Sequence, residues 1–276
     1  MKRITLGISP CPNDTFIFDA LIHQKIDTKG LEFDVAYYDV EELNSKAFQG
    51  HFDVTKLSYH AYLFLIDHYQ LLQSGSALGS GVGPLLVTNS TQIITDWNKT
   101  SVAIPGKYTT ANFLLSVAYP EISNKVEMEF SKIETAVIER KVDAGLIIHE
   151  GRFTYAQKGL RKVKDMGLFW EKYTGNLIPL GGIASKRTLD KPTSEVIDLL
   201  IRSSIEYAFE NRESSRKYVK SHAQEMADDV IDQHIDLYVN KYSLDLGADG
   251  LAAVERMKRE AIRHQMIPNT QKEMFL

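Results

Sequence analysis

The chain has 276 residues, of which 43% are hydrophobic and 25% charged, a balance typical of soluble globular proteins rather than of disordered or membrane proteins. Its length favours two modest lobes over one large core. The net charge is −4, and no basic stretch carries interleaved aromatic residues, which argues against nucleic acid as a partner.

The cysteine content and the N-terminus indicate the compartment. Cys11 is the only cysteine in the sequence, so an intramolecular disulfide and a structural zinc site built on a Cys pair are excluded. The opening "MKRITLGISPCPNDTF" lacks the apolar run and cleavage signature of a signal peptide, and no window approaches the roughly 20 apolar residues of a membrane span. We expect a cytoplasmic protein with no membrane partner; the sequence leaves its oligomeric state open.

Strands and helices alternate from the start of the chain. The hydrophobic patterns predict strands over residues 3–9, 31–39, 52–59 and 83–88, with helices over 15–25, 40–50 and 60–69. A second cycle predicts strands over 100–106, 125–130 and 142–150, helices over 109–119 and 131–141, another extended segment over 177–188, and helices from 193 almost to the end. Such alternation favours an α/β fold with mostly parallel sheets.

Two such cycles joined by extended crossings predict a bilobed protein. We expect the crossings near residues 84–88 and 178–186. Lobe 1 then comprises residues 1–88 and 184–276, including the C-terminal helices, and lobe 2 comprises residues 89–183. A ligand cleft is expected between the lobes, since ligands of open sheets bind beyond the carboxyl ends of strands.

The corner "SPCPNDTFIF" directly follows the first predicted strand. Ser9, Asn13 and Asp14 offer polar side chains there, beside the N–H groups of a helix start. We interpret this corner as ligand-facing; the alternative is a rigid helix cap. Cys11 is interpreted as structural or lining, because the sequence places no base beside it to form a thiolate.

Two later corners have the same architecture. In "KLSYHAY", Lys56, Leu57 and Ser58 end a predicted strand and could hold a carboxylate, although a plain strand-to-helix junction capped by Ser58 explains the pattern equally well. In "IPGKYTTANFLL", Thr109 and Thr110 open a helix, where unpaired N–H groups attract anions. The spacing does not match a nucleotide phosphate loop.

His149 ends the apolar strand "GLII" in "GLIIHEGRFTY", a position where an α/β fold places functional groups. An imidazole with a pKa of about 6.5 suits proton transfer near neutral pH. Position alone leaves open whether His149 is a base or a structural histidine. The other histidines show no metal-ligand spacing, so no metal site is predicted.

Taken together, "SPCPNDTFIF", "KLSYHAYL", "GSGVGPLLV", "IPGKYTTANFLL" and "GLIIHEGRFTY" closely resemble the 1,4-dihydroxy-6-naphthoate synthase family of the futalosine route to menaquinone. The resemblance covers almost the whole chain. It implies the type II fold of periplasmic binding proteins, used here in a cytoplasmic enzyme.

The same resemblance implies an activity. A lyase would cleave cyclic dehypoxanthinyl futalosine, an aromatic carboxylate, to 1,4-dihydroxy-6-naphthoate and dihydroxyacetone without a cofactor or metal. It further implies that Lys56, Leu57, Ser58, Thr110 and Ala111 bind substrate and that His149 accepts a proton. The alternatives are a non-enzymatic carboxylate-binding protein or sensor of the same fold, and a different lyase on this fold.

Overall fold

The computed structural model describes residues 2–223 and 227–276 and, within them, places the strands in two sheets. With strands numbered in chain order, sheet 1 contains β1 (Lys2–Ile8), β2 (Leu31–Tyr37), β3 (Val54–Ser58), β4 (Tyr69–Leu71), β5 (Ala77–Gly79) and β11 (Ile178–Lys186). Sheet 2 contains β6 (Leu85–Asn89), β7 (Val102–Ile104), β8 (Lys125–Glu127), β9 (Ala144–Ile147) and β10 (Leu160–Asp165).

Both sheets are mixed. Sheet 1 has the order β2-β1-β3-β11-β4, with β5 also paired to β11, and sheet 2 has the order β10-β6-β9-β7-β8. β1 runs parallel to β2 and β3, but β11 runs antiparallel to its three neighbours. In sheet 2, β7 is parallel to β8 and β9, whereas β6 is antiparallel to β9 and β10. The expected α/β architecture is confirmed, but the sheets are not mostly parallel, because both crossing segments enter them as antiparallel strands.

The helices cover the sheets and extend the C-terminal half. They are α1 (Pro12–Ile22), α2 (Val40–Phe48), α3 (Tyr59–Phe64), α4 (Thr110–Ala118), α5 (Phe130–Ile138), α6 (Gly151–Thr154), α7 (Met166–Thr174), α8 (Lys191–Glu210), α9 (Arg216–His222), α10 (Asp228–Tyr238), α11 (Lys241–Leu244) and α12 (Gly247–Arg263). The predicted helix 60–69 was wrong in its second half, since Tyr69 pairs with Lys186 in sheet 1. None of the helices within the described ranges is long and apolar enough to cross a membrane.

The C-terminal helices return to sheet 1. The Ser204 hydroxyl of α8 accepts a hydrogen bond from the Leu21 N–H at 3.0 Å and donates one to the Ile17 carbonyl at 2.7 Å, both in α1. Side chains of β1, including Ile4 and Leu6, lie in the same buried cluster as these helices. The C-terminal helices therefore pack against α1, the helix that begins at the corner containing Ser9, Asn13 and Asp14.

The crossings between the two sheets are tightly packed. A Cβ at Gly83, just before β6, would lie 2.2 Å from the Gly167 backbone nitrogen, so the main chains approach as closely as glycine allows. The expected lobe boundaries at 88/89 and 183/184 fall inside β6 and β11, which belong to different sheets. The division into lobes stays a prediction.

Candidate functional site

The corner between β1 and α1 is organised around the buried carboxylate of Asp14. It accepts hydrogen bonds from the Ser9 N–H at 3.1 Å, the Ser9 hydroxyl at 2.9 Å and the Asn13 side-chain amide at 2.7 Å. Lys56 adds an ion pair, with 2.8 Å between Nζ and Oδ1. A buried carboxylate requires such partners to offset its desolvation. Asp14 therefore orients Ser9, Asn13 and Lys56, and their side chains do not act as a simple helix cap.

Strand β3 separates its three predicted site residues, because successive side chains of a strand point to opposite faces. Lys56 and Ser58 line a cavity, whereas Leu57 is fully buried in the hydrophobic core. The structure thus does not bring the Leu57 side chain into the site. Ser58 is held by Asn44, which accepts from its N–H at 3.0 Å and donates to its Oγ at 3.2 Å. The Ser58 hydroxyl proton remains available to a ligand.

The N-terminus of α4 contributes main-chain groups. Thr109 caps the helix by accepting a hydrogen bond from the Asn112 N–H at 3.2 Å, and Thr110 donates its hydroxyl to the Leu180 carbonyl at 2.7 Å. Within the part of the chain that the structure describes, no acceptor is bonded to the N–H of Thr110 or Ala111. First-turn N–H groups of this kind, at the positive end of the helix dipole, favour an anion.

His149 lies two residues after the end of β9 with a φ of +55°, in the left-handed region that few residues other than glycine adopt. The following turn is anchored by Arg152, whose guanidinium pairs with Asp165 at 2.9 Å and donates to the Gly83 carbonyl. The segment after β9 is therefore fixed to the crossing between the sheets, and the imidazole with it.

These segments meet at one cavity. All of the predicted site residues except Leu57 line it: Ser9, Asn13, Asp14, Lys56, Ser58, Thr109, Thr110, Ala111 and His149. The sequence interpretation missed further lining residues, among them Val40, Val82, Ile148, Leu180 and Tyr238. Leu180 lies in a predicted extended segment, but nothing in the sequence marks Tyr238 of α10. The cavity thus combines apolar walls with a few polar groups, as small-molecule sites do.

The imidazole of His149 is held in its neutral form. Burial disfavours the imidazolium and, with the nearby charge of Lys56, lowers the pKa of His149 to about 4, although Asp14 acts in the opposite direction. A neutral imidazole at pH 7 can accept a proton. Among residues 2–223 and 227–276, no group of three or more His, Cys, Asp or Glu side chains could hold a metal ion.

Cys11 lies against this imidazole, with 3.5 Å between Sγ and Nδ1 of His149. The expectation that no base lies beside Cys11 was therefore wrong. The thiol is nevertheless not activated, because burial and the charge of Glu150 raise its pKa well above the ordinary value. Cys11 supports the ring of His149 as a neutral thiol.

We expect Cys11→Ser to keep most of the turnover, since a hydroxyl can replace the thiol as a neutral hydrogen-bonding neighbour. The measurement is kcat beside the urea midpoint, so that a loss of folding is separated from a loss of chemistry. A fall in kcat of more than about 100-fold in a folded variant would restore the nucleophile hypothesis.

Three histidines in surroundings that disfavour the imidazolium also make the fold sensitive to acid. Burial lowers the pKa of His60 and His149 to about 4 and that of His234 well below its ordinary value. Unfolded histidines bind protons below about pH 6.5, whereas these folded histidines stay neutral to lower pH. The free energy of unfolding is therefore at its full value above about pH 6.5 and falls as the pH drops towards 4. Each such group contributes a slope of up to about 1.4 kcal/mol per pH unit. Urea unfolding from pH 7.5 to 4.5 should show this decline, and His60→Asn should reduce its slope, whereas replacing the exposed His68 should not.

Comparisons with known proteins show the family of this chain. Residues 4–262 match a family described as menaquinone biosynthesis. A relative from Thermus thermophilus, named 1,4-dihydroxy-6-naphthoate synthase, is 42% identical over 276 residues and the alignment covers all of both chains. A relative of the same name from Streptomyces coelicolor is 41% identical, with 96% of this chain and 95% of the relative covered.

Solved structures confirm the fold. A crystal structure of a protein from Archaeoglobus fulgidus has a TM-score of 0.91 and 35% identity, covering 96% of this chain and 98% of that one. The alkanesulfonate-binding protein of Xanthomonas axonopodis has a TM-score of 0.72 at 14% identity, covering 98% and 95%, and shows the shared periplasmic-binding-protein-like fold alone. Because the family match spans most of the sequence and two relatives align over nearly their whole length, this chain belongs to the menaquinone-biosynthesis family that includes the 1,4-dihydroxy-6-naphthoate synthases.

Proposed function

We propose that the chain is a lyase that converts cyclic dehypoxanthinyl futalosine to 1,4-dihydroxy-6-naphthoate and dihydroxyacetone, with His149 as the general base. The observation that carries the proposal is the neutral imidazole of His149 at a cavity lined by the expected substrate-binding segments. Full-length relatives that bear the synthase name support it. The proposal includes the cytoplasmic location and a small aromatic carboxylate as the partner.

The substrate carboxylate is assigned to the N-terminus of α4. Lys56 is a poorer candidate than its charge suggests, because its ammonium group is already paired with Asp14. The N–H groups of Thr110 and Ala111 and the hydroxyl of Ser58 supply donors without a buried countercharge. The apolar walls then hold the aromatic ring.

The chemistry needs a base and a dry cavity. His149 removes a substrate proton, the electron pair left behind drives cleavage of the sugar-derived ring, and a proton is returned to the departing three-carbon fragment. Aromatisation of the second ring supplies the driving force. One contact links two of the segments around the cavity: the Thr110 hydroxyl donates to the Leu180 carbonyl at 2.7 Å. Lobes comprising residues 1–88 with 184–276 and residues 89–183 would part to admit the substrate.

The test incubates purified protein with cyclic dehypoxanthinyl futalosine and follows naphthoate absorbance. Release of many naphthoate molecules per chain is the expected result. At most one equivalent, or tight binding without conversion, would instead support the carboxylate-binding protein or sensor. A heat-denatured sample controls for spontaneous aromatisation.

A further inference from the structure

The polar side chains around the cavity differ in whether their atoms are already engaged. Within the described residues, most are bonded to another protein group; the engaged set is Ser9, Asn13, Asp14, Lys56, Thr109 and Thr110. Ser58 keeps its hydroxyl proton, and His149 keeps a ring nitrogen for proton transfer. The remaining group is the phenol of Tyr238, a residue that the sequence interpretation did not identify.

Tyr238 is well placed by its surroundings. It is 8% exposed and lines the cavity from the last turn of α10. Its ring packs against His234 at 4.7 Å between centroids, and Nε2 of His234 lies 2.9 Å from Oδ1 of Asn13. The ring of His234 in turn stacks on that of His149, with 6.0 Å between centroids and 13° between planes. Tyr238 and His149 thus both pack against one buried imidazole, that of His234.

The phenol oxygen of Tyr238 has no hydrogen-bond partner among residues 2–223 and 227–276. Burial raises its pKa, so the phenol stays protonated at neutral pH and is a donor. The phenol oxygen is not among the unpaired polar atoms that are fully buried, so it remains accessible at the cavity that Tyr238 lines. Such a group at a cavity wall is satisfied when a ligand oxygen arrives.

We propose that Tyr238 is a second catalytic group, whose phenol donates a hydrogen bond to the substrate oxygen that gains negative charge as His149 removes a proton. This role rests on the proposed function. The proton goes to a ring nitrogen of His149, the electron pair moves onto the substrate oxygen, and the phenol remains protonated throughout. The O–H therefore stabilises the charge without supplying a proton, and no co-reactant is needed.

The test is Tyr238→Phe, which keeps the ring and its packing on His234 while removing one oxygen. Because the hydrogen bond strengthens only as charge develops, kcat should fall about 100-fold with KM unchanged. The matched control is Tyr62→Phe. It removes a phenol that donates to the Met274 carbonyl at 2.6 Å, in the core cluster. The control should lower the urea midpoint and leave kcat unchanged.

The outcomes separate the two proposals. A wild-type chain that releases no naphthoate overturns the proposed function and with it the role of Tyr238. An active wild type with Tyr238→Phe at nearly the same kcat overturns the role of Tyr238 alone. A fall in kcat in Tyr62→Phe as large as that in Tyr238→Phe would attribute the effect to lost stability and also overturn it.

Discussion

Replacing His149 by Asn should reduce turnover at least about 100-fold, because a general base commonly contributes 10² to 10⁴ in rate. The Asn side chain matches that of His as far as the Nδ1 position, but its amide cannot accept a proton near neutral pH. Binding of 1,4-dihydroxy-6-naphthoate should survive, since the donors assigned to the carboxylate lie on α4 and β3. Single-turnover kinetics together with titration calorimetry of the product measures both effects.

The pH dependence gives a second test of the same base. Only neutral imidazole accepts a proton, and the pKa of His149 is lowered to about 4. The wild-type rate should therefore hold through pH 6 and decline as the pH falls through about 4, well below the range of an ordinary histidine. Brief assays are needed, because the fold loses stability in the same interval.

The control for His149 is His60→Asn, which removes a buried histidine whose pKa is also lowered to about 4. This variant should keep a substantial rate, and its rate should decline at low pH as that of the wild type does. If His149→Asn turns over at nearly the wild-type rate, or shows the same decline of rate at low pH, the base is a different residue and His149 only lines the cavity.

Lys56→Met should cost about 3–5 kcal/mol of unfolding free energy, because it leaves the Asp14 carboxylate buried without its cation. Asp14 is fully buried and the Lys56 side chain is 7% exposed, so solvent screens the pair little. Urea unfolding measures the loss. The double variant Lys56→Met with Asp14→Asn should recover much of it, since no unpaired charge then remains.

The matched control for the buried pair is a surface pair. Lys29 and Asp27 lie 2.7 Å apart with side chains 64% and 70% exposed, so Lys29→Met should change stability by less than about 1 kcal/mol. A similarly small cost for Lys56→Met, or a double variant less stable than the single one, would show that the ion pair does not hold the corner together.

The parts of the site that were predictable lie at the ends of strands with clear apolar patterns. His149 follows such a strand, and Thr109 and Thr110 open the helix after another, so local rules placed them near one edge. The resemblance included Leu57 among the substrate-binding residues, although strand alternation alone predicts that its side chain points to the face opposite to that of Lys56 and Ser58. Tyr238 could not be found, because only tertiary packing of α10 brings it to the cavity.

The fold was predictable to a similar degree. β4 and β5 have three residues each, too few to show alternation, and β10, "LRKVKD", reads as polar although its first and last residues are buried. The antiparallel direction of β6 and β11 is a property of how the chain returns between sheets, which local periodicity does not encode. The contact between Cys11 and His149 joins two loops distant in sequence, and it likewise arises only in three dimensions.

The left-handed backbone at residue 149 restricts which chemistries this scaffold can acquire at that position. β-Branched and bulky side chains are strained there, whereas Gly, Asn, Asp and His tolerate the conformation. A library that randomises this codon should therefore return few folded chains with Val, Ile or Thr at this position. Unbranched long side chains do adopt this conformation elsewhere in the chain, at Lys29 and Arg140, so the backbone at residue 149 admits an imidazole, a carboxylate or an amine and disfavours branching at Cβ.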